Sequence, residues 1–242
     1  MDTENTLTKT AAEETAVAER TRCGACYRPN VDIMEQNDEL LVVADVPGAR
    51  SDSIDVKFEN GTLEIYLPPV RGREYVVGVD PAGGGVNGDY SAAEVVDMEQ
   101  GLQCAEFAAH VRPRELARIV VELAQEYNNA WLVVERNNHG CAVLGSVEES
   151  CKYEKVYGQK GQAGWLTTSM SKLQAVERLE RSTIEQPWIF TSRRLLGEFR
   201  SFVRLADGGS GAKAGTHDDR LMALAIALAA RADLMQGGAR RQ

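Results

Sequence analysis

The chain has 242 residues, a formal net charge of −9, and hydrophobic and charged fractions of 43% and 26%. That length accommodates one or two domains around a sizeable core, and the acidic balance excludes a basic protein that coats nucleic acid. Five cysteines, an odd number, behind an acidic N-terminus with no apolar signal segment argue against a disulfide framework. The longest apolar run, Leu221–Ala230, is about half the length a bilayer span needs, so a soluble, cytoplasmic protein with no membrane partner is expected.

Residues 1–26 are rich in Thr, Glu and Ala and read as a disordered tail. The tail ends on Cys23-Gly-Ala-Cys26, half of a zinc or redox motif that no second pair completes. Short alternating runs follow at Val31–Glu35, Glu39–Asp45, Ile54–Glu59 and Thr62–Ile65. They predict strands, with Asn60-Gly61 as the strongest hairpin signal. Most of the acidic excess lies before residue 73, where the pattern changes.

From there the chain reads as α/β. Tyr75–Asp80 is a near-continuous apolar run ending in a carboxylate, as in a buried strand. Ala92–Asp97 and Gln103–His110 predict two more strands. Leu116, Ile119, Val120, Leu123 and Tyr127 recur at helical spacing, with Pro113 near the helix start. Ala130–Glu135 is a further strand ending in an acid. A helix is expected after Gly140, and a strand over Tyr153–Tyr157. A helix over Ser169–Gln186 has Leu173, Val176 and Leu179 on one face. Another is marked by Leu195, Phe199, Phe202 and Val203, and a last one runs from about Asp218 to Leu234.

Asp80 and Glu135 close two apolar strands. If those strands are neighbours, both acids enter one crevice, which Asp218 and Asp219 at the start of the last helix would close. Converging acids repel unless cations bind between them. Hard oxygen ligands suit Mg²⁺ or Mn²⁺, and a pair of such ions activates water against a phosphodiester. The plainer alternatives are strand-end charges and, for Asp218 or Asp219, a helix cap.

Two resemblances carry these readings further. Tyr27-Arg-Pro-Asn-Val, Val43-Ala-Asp-Val-Pro-Gly48 and Glu59-Asn-Gly-Thr-Leu-Glu-Ile65 resemble the first half of an alpha-crystallin domain, as in small heat-shock proteins, which implies a partial β-sandwich and chaperone ancestry. Gly78-Val-Asp-Pro-Ala-Gly-Gly, Gly88-Asp-Tyr-Ser-Ala92, Val134-Glu-Arg-Asn-Asn-His-Gly140 and Gly215-Thr-His-Asp-Asp-Arg-Leu-Met-Ala-Leu-Ala225 resemble the nuclease domain of the large subunit of tailed-phage terminases. Thr167-Thr168 before Lys172, and Glu198 before Ser201-Phe202, agree. The second resemblance implies a ribonuclease-H-like mixed sheet flanked by helices over residues 67–242, after a tail (1–26) and a β segment (27–66). It implies a two-metal endonuclease that cuts concatemeric phage DNA during packaging in the bacterial host cytoplasm, with Asp80, Glu135, Asp218 and Asp219 as metal ligands. A separate ATPase subunit, the small terminase subunit and a portal are then possible partners, since no GxxxxGK[ST] loop is present in this sequence. A chaperone fragment, or another ribonuclease-H-like enzyme such as a junction resolvase or integrase, remains the alternative.

Secondary candidates are Asp89, in the Gly83–Asp89 loop, as an extra carboxylate or a loop brace, and His217 as a ligand or proton carrier. Asn137, Asn138 and His139 are candidates to orient Glu135 or touch DNA. Lys172, Arg193, Arg194, Arg200, Arg204 and Lys213 are candidates for a track along the DNA backbone.

Overall fold

In the computed structural model, side chains are described for residues 69–85, 88–205 and 209–237, and the backbone alone for four earlier strands. The expected tail, the Cys23–Cys26 motif and the Asn60-Gly61 turn lie outside the described residues. The four early strands form two antiparallel hairpins. β1 (Val31–Gln36) pairs with β2 (Glu39–Ala44), Val31 opposite Ala44. β3 (Asp55–Glu59) pairs with β4 (Thr62–Tyr66), Asp55 opposite Tyr66.

The sheet that positions the site has the order β7-β6-β5-β8. β5 (Tyr75–Asp80), β6 (Ser91–Asp97) and β7 (Gln103–Ala109) form an antiparallel meander. β8 (Trp131–Val134) returns parallel to β5 after the crossover helix α1 (Pro113–Glu126), which makes the sheet mixed. Successive strand residues point to opposite faces. Val77 and Val79, with Leu132 and Val134, pack toward Leu116, Val120 and Leu123 of α1. Val76 and Val133 pack on the other face against α5 (Asp219–Met235), with Leu179 and Leu195. The same alternation places Asp80 and Glu135 on the α5 face, so the strand period alone aims both acids at the last helix.

Gly78 sets how closely that helix approaches. A Cβ there would collide with the carbonyl oxygen of Ala223 and lie 2.7 Å from Cβ of Ala227. With no side chain at 78 and a run of alanines opposite, α5 lies directly on the sheet.

Elsewhere the sequence reading needs correction. Tyr153–Tyr157 is not a full strand: it touches β8 through Leu132 N to Lys155 O and Tyr157 N to Leu132 O, an isolated parallel bridge. Two-residue strands β9 (Gly158–Gln159) and β10 (Gln162–Ala163) follow it. The helix after Gly140 is α2 (His139–Ser146), continued by a π-helical turn over Val147–Cys151. α3 (Ser169–Glu185) buries Ala175 and Leu179, whereas Leu173 is 44% exposed. α4 (Arg193–Ser201) ends before Phe202. Phe202 and Val203 belong to β11 (Phe202–Arg204), which forms a hairpin with β12 (Ser210–Ala212). The apolar spacing 195, 199, 202, 203 runs through that boundary because one apolar side packs both elements. Among the described residues no helix is long and apolar enough to cross a membrane.

Candidate active site

Asp80 ends β5, and Glu135 follows β8 directly. Glu135 N donates to Val79 O at 2.9 Å, so the two acids stand side by side on adjacent parallel strands. Gly140 keeps that corner tight, since a Cβ at 140 would collide with the Glu135 carbonyl. The Asp80 and Glu135 side chains act directly on each other. The Asp80 carboxyl is pushed well above the usual carboxylate range, first by burial, then by the charge and hydrogen bond of Glu135, then by Asp219 and Asp218. Each of the other three predicted acids therefore acts on Asp80.

Asp218 occupies the position before the first turn of α5 but makes no capping hydrogen bond. Its Oδ2 accepts from Ala212 N at 3.3 Å, which ties it to β12. Asp219 is buried and accepts from Tyr90 N at 3.2 Å. Burial raises its pKa to about 6; the Tyr90 amide and His217 oppose the shift, while Asp89 and Glu198 add to it.

A second grouping adjoins the first. Nδ1 of His217 lies 3.4 Å from Asp219 and 3.8 Å from Asp89. One ligand atom from each of these three residues lies within 4.8 Å of the others. That Nδ1 is buried and has no hydrogen-bond partner. Asp89, weighed from sequence between ligand and loop brace, is thus brought to the acids, and so is His217.

Residues 77–231 match the family model of the terminase RNaseH-like domain. The chain belongs to this family. Solved structures agree on the fold. The large terminase nuclease from thermophilic phage G20c with bound magnesium superposes with a TM-score of 0.53 at 20% identity, over 68% of this chain and 86% of that one. The cobalt-bound form gives 0.53 at 19%, and the zinc-bound form 0.50 at 18%, with the same two coverages. A search of curated proteins finds no match. The family match starts at residue 77, and the comparisons lend no support to the small heat-shock resemblance of residues 27–66.

In this terminase-family domain the remaining candidates fall into three groups. Asn137 braces the site: its Nδ2 donates to Thr167 O at 2.9 Å and to Glu135 Oε1 at 3.4 Å. Asn138 precedes α2 at a positive φ of 43° and makes no capping bond, and His139 packs over Gly83. Lys172 lies in the first turn of α3, beside the Thr167–Asn137 link, and exposed Lys213 follows Ala212, the amide that holds Asp218. Arg193 and Arg194 open α4, where Thr191 N and Ser192 N are held by Gln103, whose strand neighbour is Val96, while Asp80 pairs with Ala92 of β6. Arg194 lies 3.9 Å from the buried Glu106. Arg200 and Arg204 are exposed on α4 and β11.

Tyr90 was missed as a site residue. Beyond its amide bond to Asp219, its ring stacks on His110 at 4.1 Å, meets the edge of His217 at 5.0 Å and lies under Arg220 at 5.8 Å. The signal was its place in Gly88-Asp-Tyr-Ser-Ala92, but nothing in that string shows which partner its amide finds.

Proposed function

We propose that this chain is a metal-dependent endonuclease that cuts concatemeric double-stranded phage DNA during genome packaging. The observation that carries this reading is the convergence of Asp80, Glu135, Asp218 and Asp219 on the α5 face, where their mutual repulsion and burial hold Asp80 far from its ordinary pKa. The donor set fits divalent cations: four carboxylates, a fifth in Asp89, and the unsatisfied buried Nδ1 of His217. An imidazole among carboxylates favours Mn²⁺ alongside Mg²⁺. Two such ions held by these residues would supply charge neutralisation and Lewis acidity for phosphodiester hydrolysis. Relatives of this fold have been solved with magnesium, cobalt and zinc bound.

The chain's own contribution is positioning. Backbone amides of Tyr90 and Ala212 fix Asp219 and Asp218, and Asn137 steadies Glu135. Lys172 and Lys213 offer charge to a phosphate backbone on either side, and contacts of that kind position a duplex without reading its bases. The family match supports this function over a resolvase or integrase of the same fold. In this reading residues 67–242 form the nuclease, 27–66 a separate β segment and 1–26 a tail. A separate ATPase subunit, the small terminase subunit and a portal would be its partners in the bacterial host cytoplasm.

Plasmid cleavage with Mg²⁺ or Mn²⁺ tests it. Asp80→Ala and Glu135→Ala should each lower the rate by roughly 100-fold or more, as expected when electrostatic stabilisation of a transition state is removed. Equal cleavage by wild type and both variants would sink the assignment.

A further inference from the structure

An α-helix leaves its first N–H groups without intrahelical partners. In two other helices here the preceding side chain supplies the acceptor. Thr168 accepts from Ser171 N at 3.1 Å before α3, and Ser192 accepts from Arg194 N and Leu195 N, both at 3.2 Å, before α4. Aspartate is among the best residues for this duty, and Asp218 stands where it would cap α5. It does not. The acceptor comes from another helix instead. Glu198 of α4 is buried, and its Oε2 accepts from Leu221 N at 3.0 Å. Its Oε1 accepts from the Arg220 guanidinium at 2.9 Å, and its carboxylate also bonds the Arg220 backbone N–H. Arg220 in turn lies over the Tyr90 ring, and Tyr90 N holds Asp219.

We propose that Glu198 is a positioning residue for the metal site: by capping α5 from α4 it frees the Asp218 carboxylate to serve beside Asp80 and Glu135. This rests on reading those carboxylates as cation ligands. Capping and cation binding compete for one short side chain. Once Glu198 is removed, the Leu221 N–H, third in the helix, is the ordinary target of the residue before it, and Asp218 turns to satisfy it. The same loss removes the shorter of two ion pairs of Arg220, leaving Glu106 at 3.8 Å, and slackens the hold on Tyr90 and Asp219.

The test uses the full chain with Glu198→Ala and Glu198→Gln. Mn²⁺ binding without DNA is followed by electron paramagnetic resonance, thermal melting in EDTA gives stability, and plasmid cleavage gives kcat and KM. For Glu198→Ala the Mn²⁺ needed for half-saturation rises about tenfold, the ratio matching a cap of ordinary strength. Its kcat at subsaturating Mn²⁺ falls in step, and KM for DNA stays within about twofold. Glu198→Gln keeps one oxygen for Leu221 N, so its half-saturation point rises only about threefold. A fall in melting temperature with the Mn²⁺ half-point unchanged in both variants means a purely structural role and overturns the proposal. If Glu198→Ala does not fold, the Gln variant decides by the same measure. A wild-type chain that binds no Mn²⁺ overturns the reading of the site itself, and this inference with it.

Discussion

At the scale of single residues, the site is a set of charges held where they are costly. Asp219 titrates at about 6 in the folded chain against an ordinary 3.8, with burial the main cause. Between those values the folded state keeps a proton that the unfolded state has released. The contribution of Asp219 to the stability of the metal-free chain is therefore full below about 4 and is lost as pH climbs through about 6. Asp80 is shifted the same way and extends the decline. Thermal melts in EDTA across pH 4–8 check this; a melting temperature that rises with pH over that window contradicts it. It follows that Asp80→Asn, which removes the charge and leaves the shape, stabilises the metal-free chain at neutral pH by several degrees while abolishing cleavage. Glu135 and Asp80 were legible as strand-end acids because a carboxylate closing an apolar run is visible in one dimension. Tyr90 and Glu198 were not legible as site residues, since each acts through an N–H or carboxylate contact with a residue far along the chain.

At the scale of elements, the approach of α5 to β5 decides whether the acids meet. Gly78 is the contact point, and a Cβ there strikes the α5 backbone rather than a flexible side chain. Gly78→Ala is expected to cost about 1–3 kcal/mol by overpacking and to weaken cleavage more than stability alone explains, because the helix start is displaced from Asp80. Chemical denaturation and plasmid cleavage on the same preparation separate the two effects. Strand periodicity was readable because buried apolar runs mark β5 and β8 directly. Less readable was the break between α4 and β11, where Leu195, Phe199, Phe202 and Val203 keep a helical spacing although the backbone turns to strand at Phe202. Leu173 misled for a related reason: α3 packs one flank only, through Ala175 and Leu179, and the helical stripe drawn from sequence was wider than the buried one.

At the scale of the whole molecule, the proposed reading links cation binding to folding. A site that concentrates five carboxylates is strained when empty, and a cation bound only by the folded chain stabilises it by about 2.7 kcal/mol at a hundred times its dissociation constant. Mg²⁺ or Mn²⁺ should therefore raise the melting temperature. Asp80→Ala should blunt that rise, and a melting temperature indifferent to both metals would count against the site. The family match begins at residue 77, and the proposed division of the chain predicts that a fragment from residue 67 onward cleaves DNA at the rate of the full chain. A much slower fragment would show that the β1–β4 segment takes part.

The sequence by itself determined the alternation of strands and helices, the family motifs and the four acids, because each is a local pattern in residue type and spacing. Only the tertiary structure decided which side of the sheet those acids share and which groups hold them there. It brought Asp89 and His217 to Asp219, set Arg194 near the buried Glu106, and supplied the cap of α5 from Glu198. Those outcomes depend on how closely helices pack across β5, a distance set by Gly78 and the alanines facing it, which no one-dimensional pattern contains.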